Sequence, residues 1–91
     1  MNPEAGEISI QQAKIYLALA SGSEWLTAKE VAEKASVVGR TVRFHLNKFI
    51  KAGLLARIEL HPAQYKLVSY ADNHIYTKRL EQACKIFGLT V

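Results

Sequence analysis

Residues 27–55, TAKEVAEKASVVGRTVRFHLNKFIKAGLL, constrain what this chain can fold into more than any other segment. They read as two short helices joined by a tight turn. Thr27 and Glu30 have the spacing of a capping box, and Leu26 and Val31 have that of a hydrophobic staple, so two start signals coincide. Val31, Ala32 and Ala35 form the inner face of this helix, and its alanines let another helix approach closely. Ser36-Val37-Val38-Gly39 is the turn. The spacing then predicts a helix from about Gly39 to Ala52, with Val42, Leu46, Phe49 and Ile50 as its apolar stripe. Gly53 stops it.

The charge is as localised as the apolar pattern. Arg40, Arg43, Lys48, Lys51 and Arg57 lie between Val38 and Ile58, and no Asp or Glu does, a local +5. The rest of the chain holds seven basic and eight acidic residues, so the net +4 comes entirely from this stretch. Such placement is the electrostatic footprint of a nucleic-acid contact surface.

The flanks supply the remaining elements. Residues 1–8 read as a loose arm. Ser9 and Gln12 have capping-box spacing, and Ile10, Ala13, Tyr16, Leu17 and Ala20 give a first helix ending at Ser21-Gly22-Ser23. Glu24-Trp25-Leu26 is a short extended piece. From Leu54 to Leu60, Ala56, Ile58 and Leu60 alternate with Arg57 and Glu59 as in a strand. A turn at His61 to Gln64 leads to a return strand from Tyr65 to Tyr70, which completes a β-hairpin. Asp72 opens a last helix reaching about Phe87, with Ile75, Tyr76, Leu80, Ala83 and Phe87 along one side. The expected class is mainly α with a small β-hairpin (α+β). A 91-residue chain buries only about two-thirds of its unfolded surface. A helix left over once the core is complete is therefore a natural dimerisation element.

LTAKEVAEKASVVGRTVRFHLNKFIKAGLL followed by RIELHPAQYKLV resembles the winged helix-turn-helix domain of bacterial and archaeal transcriptional regulators. The likeness covers roughly residues 9–70. Its marks are Leu26-Thr27 into Val31-Ala32, then Thr41-Val42-Arg43-Phe44-His45-Leu46, then Ala52-Gly53-Leu54-Leu55 and the hairpin. Three features depart from the pattern. Ser36 stands where the family often has Gly, and Val38 where it often has a Ser or Thr N-cap. The wing tip, His61 to Gln64, lacks the Arg or Lys often found there. The resemblance implies a recognition helix at 39–52 and a wing at 56–69; residues 71–91, beyond it, read as an extra C-terminal helix. It implies a sequence-specific double-stranded DNA-binding regulator, a repressor that binds a palindromic operator as a homodimer. The dimer would pair the last helix through Ile75, Tyr76, Leu80, Ala83 and Phe87.

Helical angles sort the basic segment. At about 100° per residue from Val42, Leu46 and Phe49 fall on the buried side. Arg40, Phe44, Asn47, Lys48 and Lys51 project away from it, and Thr41 and Arg43 lie on the flanks. Arg40 and Arg43 can each pair with guanine O6 and N7, worth roughly 1–3 kcal/mol of discrimination. Asn47 can read adenine, and Thr41 suits a phosphate or a thymine methyl. Lys48 and Lys51 read as phosphate anchors, joined on the hairpin by Arg57 and Lys66. Phe44 either meets thymine methyls in the groove or packs on Trp25 or the wing.

Other chemistries find little footing. No nucleophile with its base, phosphate loop or paired carboxylates is present, so no enzymatic activity is expected. His45, His61, His74 and Cys84 have irregular spacing, so neither a metal nor a cofactor is expected. No apolar run approaches the roughly 20 residues of a membrane span, and no secretory leader is evident. The lone Cys84 fits a reducing cytoplasm. No small-molecule effector is expected. Two alternatives to transcription control remain: a protein-interaction module in a larger complex, and plasmid or viral replication or partition control through the same surface.

Overall fold

The computed structural model describes residues 8–22, 24–68 and 75–89. In them α1 (Ile10–Ala20) leads through β1 (Leu26–Thr27) directly into α2 (Ala28–Ala35) and, after a turn, α3 (Gly39–Lys51). The strands β2 (Leu55–Ile58) and β3 (Gln64–Leu67) follow, then α4 (Ile75–Ile86). Among the described residues, four helices and a three-stranded antiparallel sheet of order β1-β3-β2 make a winged helix.

The Thr27 capping box forms as expected. Thr27 Oγ1 accepts from the Glu30 N–H at 3.1 Å, and Glu30 Oε1 accepts from the Thr27 N–H at 2.8 Å. The two ends of the central unit close in the same way. Ser36 follows α2 in the left-handed region at φ 56°, where the family's glycine would sit without a Cβ penalty. Gly53 does so after α3 at φ 84°. There the Gly53 N–H donates to Ile50 O at 3.0 Å and the Leu54 N–H to Phe49 O at 2.9 Å, a Schellman pair. Phe49 and Leu54, the two residues it brings together, are both fully buried.

α1 is the centre of the helical layer and packs against α2, α3, α4 and β3. It therefore buries more than the narrow stripe expected of it. Gln12, Ala13, Ile15, Tyr16, Ala18 and Leu19 are buried, whereas Ile10 and Ala20 are exposed. Only half of the Ser9 capping box forms. Ser9 Oγ accepts from the Gln12 N–H at 3.1 Å. The Gln12 side chain instead turns inward, and its Nε2 donates to Tyr76 Oη on α4. A second polar contact joins the same helices, from the Cys84 thiol to Ala13 O at 3.6 Å.

The wing differs from the expected isolated hairpin in two respects. The extended piece before α2 pairs with β3, Leu26 opposite Tyr65 and Thr27 opposite Gln64, so the wing is tied to the helical layer. A third strand also relieves the marginal stability of a lone hairpin. The buried face is the other one as well. Leu55, Tyr65 and Leu26 point into the core, while Ala56 and Ile58 are half-buried and Leu60 is exposed. Side chains alternate along a strand, so choosing the opposite face exchanges every one of them. The deciding residues are Leu54, which runs fully buried out of α3, and Tyr65 in the central strand. Arg57 shares the core-facing parity opposite Tyr65 but lies at the sheet's end, its guanidinium 5.8 Å from the Tyr65 ring centre.

α4 completes the monomer. Tyr76, Leu80 and Ala83 are buried in the chain's own core together with Thr77 and Cys84, and the Tyr76 ring meets Phe49 edge-on at 5.7 Å. Three of the five side chains assigned to a dimer face are thus occupied within the chain. Ile75 and Phe87 are exposed, at 71% and 40%, and so is Ile86, at 79%. Residues 1–7 of the expected 1–8 arm, Ser23 of the first turn, Ser69 and Tyr70 of the expected return strand, the helix start at Asp72 and His74 lie outside the described residues.

Candidate nucleic-acid interface

α3 is 13 residues long, roughly 20 Å. Val42, Leu46 and Phe49, fully buried, fix its rotation, and the mostly buried His45 sits on the same side. The opposite face is then set by geometry. Arg40, Arg43, Phe44, Asn47 and Lys51 are exposed, and Thr41 and Lys48 are partly so. The helix thus presents together the seven α3 residues singled out from the sequence. Among the described residues no carboxylate pairs with Arg40, Arg43, Lys48 or Lys51. Val38, the N-cap of α3, offers no side-chain acceptor, so the first N–H groups of the helix point outward unclaimed by a cap.

The two wing cations are held differently. Arg57 is bound to Glu59, Nε to Oε1 at 2.6 Å. That exposed pair cancels much of its charge, so Arg57 contributes less to the field than its number suggests. The Lys66 ammonium lies 5.9 Å from the centre of the Trp25 ring, across the β1–β3 junction. The face of Trp25 is therefore covered by Lys66.

Phe44 is 60% exposed. Its ring meets the edge of His45 at 5.2 Å and 75°, and the Lys48 ammonium sits 5.7 Å from its centre. Among the described residues, the aromatic and cation contacts of the ring therefore both come from α3 itself, one residue and one turn away.

One cation of this surface was not singled out from the sequence. Lys29 on α2 and Arg43 on α3 line a groove of about 410 Å³ between the two helices, with Val37 and Glu33 beside them. Lys29 is followed by Glu30 and Glu33, which hid it in a charge count.

His45 is the titratable group coupled to this face. Burial pushes its imidazole below the usual value of 6.5, and the Lys48 ammonium pushes the same way. Its Nδ1 has no hydrogen-bond partner among the described residues. The folded protein therefore holds His45 neutral. The stability this confers is complete above pH 6.5 and is lost as pH falls through the lower folded value. Thermal melts should show the midpoint dropping more steeply below about pH 6.5 for the wild type than for His45→Leu. Equal slopes would remove His45 from the acid response.

Cys84, buried on α4, has its thiol pushed up by burial and by Glu81, which disfavours the reactive thiolate. Among the described residues no three metal-ligating side chains converge, and no helix is long and apolar enough to cross a membrane.

No protein-family model and no curated protein matches the sequence. Solved structures do match the fold. The ST1889 protein of the thermoacidophilic archaeon Sulfolobus tokodaii is 19% identical, with a TM-score of 0.68 over 90% of this chain and 85% of its own. A MarR-family transcriptional regulator of Silicibacter pomeroyi is 18% identical, with a TM-score of 0.70 over 97% of this chain and 64% of its own. Bordetella bronchiseptica BpsR, whose DNA binding is regulated by 6-hydroxynicotinic acid, is 14% identical, with a TM-score of 0.64 over 86% of this chain and 61% of its own. The chain thus spans under two-thirds of the last two proteins. At these identities the likeness is one of fold, and the fold is the winged helix that MarR-family transcriptional regulators share.

Proposed function

We propose that this chain is a sequence-specific double-stranded DNA-binding regulator of transcription that inserts α3 into the major groove. The observation that carries the reading is the outward face of α3. It carries four cations that have no carboxylate partner among the described residues, on the side of α3 opposite its buried Val42, Leu46 and Phe49. Arg40 and Arg43, near the start of α3, are the base readers, and Asn47 and Thr41 are their neighbours. Lys48 and Lys51 anchor phosphates further along, where they also complement the helix C-terminus. Lys66 approaches the backbone from the wing, with Arg57 secondary because of Glu59.

The finer reading is a repressor that acts as a homodimer on a palindromic operator, with no catalytic step. Burial of Tyr76, Leu80 and Ala83 moves the proposed pairing surface to Ile75, Ile86 and Phe87. Ile75 and Ile86 are eleven positions apart, within about 20° of one another around α4, and so mark the two ends of one exposed side.

Two substitutions separate the roles. Arg40→Ala should flatten base preference at one position per half-site, by roughly 1–3 kcal/mol. Lys48→Ala should weaken all duplexes alike and make the slope of log K against log salt shallower by about 0.9. Titrations of matched and mismatched duplexes at several salt concentrations measure both. Unchanged binding in both variants would show that α3 does not present this face to DNA.

A further inference from the structure

Phe44 is the one large apolar side chain among the cations of α3, and neither phosphate anchoring nor guanine recognition uses it. It lies near the middle of the outward face, with Arg40 one turn before it and Lys48 one turn after. It is also five residues past the start of α3, within the first two turns that reach base edges in this kind of docking. At 60% exposure, most of the phenyl ring's surface there is open to a partner. The alternative role, packing on Trp25 or the wing, is not the one its contacts support. Its ring meets His45 and Lys48, while Trp25 carries Lys66. His45 is mostly buried and so steadies the edge of the ring, which lowers the cost of fixing it in a complex.

Resting on the DNA-binding reading, we propose that Phe44 is a specificity-determining residue that reads the 5-methyl group of a pyrimidine in the major groove. An apolar partner for that methyl is a recognised form of base readout. The surrounding cations argue for an anionic polymer over an apolar protein surface as the ring's partner, because docking on an apolar protein would strand Arg40, Arg43 and Lys48 without counter-charge. The methyl group can belong to thymine or to 5-methylcytosine, and the ring does not distinguish the two.

The test uses the tightest duplex selected by the wild-type chain. Each thymine of the half-site is replaced in turn by deoxyuracil, which removes only the methyl. At one position wild-type affinity should fall about four-fold, equivalent to about 0.8 kcal/mol for one buried methyl-sized group. Phe44→Ala should be insensitive to the same replacement. At that position 5-methylcytosine should also bind the wild type more tightly than cytosine, by a similar factor that is lost in Phe44→Ala. The side chain is exposed, so the variant should keep the wild-type melting temperature. If uracil is tolerated at every thymine, if Phe44→Ala shows the same loss, or if the two cytosines bind alike, the proposal is overturned while DNA binding stands. If the wild type enriches no duplex, the DNA-binding reading fails and the proposal fails with it.

Discussion

Phe49→Ala is expected to destabilise the protein by about 3–5 kcal/mol, the range for truncating a buried aromatic. The ring is fully buried and meets Tyr76 of α4 edge-on, and the Phe49 carbonyl accepts from the Leu54 N–H at the Schellman closure of α3. One deletion therefore loosens the contact of α3 with α4 and its exit into the wing. A domain of 91 residues has a total stability of roughly 5–14 kcal/mol, so the loss is a large fraction of it. Phe44→Ala, five positions earlier on the opposite side of the same helix, should cost no more than about 0.5 kcal/mol. Urea unfolding of the two variants measures both. Equal losses would mean that α3 is rotated from the orientation described above.

The second large effect concerns binding. A variant with Arg40, Arg43, Lys48 and Lys51 all changed to alanine should fold as the wild type does but lose specific recognition. If Arg40 and Arg43 read bases as proposed, their loss alone should remove about 2–6 kcal/mol of discrimination, on the order of 30-fold to 10⁴-fold. Loss of the two phosphate anchors should make the salt slope shallower by about 1.8. None of the four side chains is a buried core residue, so the melting temperature serves as the control for folding. Salt-dependent titration against a selected site measures the rest. A quadruple variant that keeps wild-type specificity would place the contact surface elsewhere on the molecule.

The centre of this fold was legible because its signals are local. Thr27 with Glu30, the 3.6-residue spacing of Val42, Leu46 and Phe49, and Gly53 each act within a turn of chain, and each appears in the structure. The outward set on α3 followed from the same periodicity. What was not legible depends on partners distant in sequence. Gln12 leaves its cap because Tyr76, 64 residues later, offers a buried oxygen. The hairpin turns its other face inward with Tyr65 between β1 and β2, and the extended reading of Glu24-Trp25-Leu26 carried no sign of that pairing. The stripe on α4 was correctly recognised as apolar. Periodicity cannot say whether such a stripe covers its own chain or a second copy, and here Tyr76, Leu80 and Ala83 cover α1 and Phe49. Phe44 was visible as an outward aromatic, but its contacts with His45 and Lys48 required coordinates.

Selection of bound duplexes from a random pool tests the central claim most directly. The enriched consensus should carry guanine at the positions facing Arg40 and Arg43, repeated with two-fold symmetry about one helical turn apart. Binding should also weaken steeply as salt rises. A pool that emerges unenriched, with no duplex held above background at low salt, would contradict the claim.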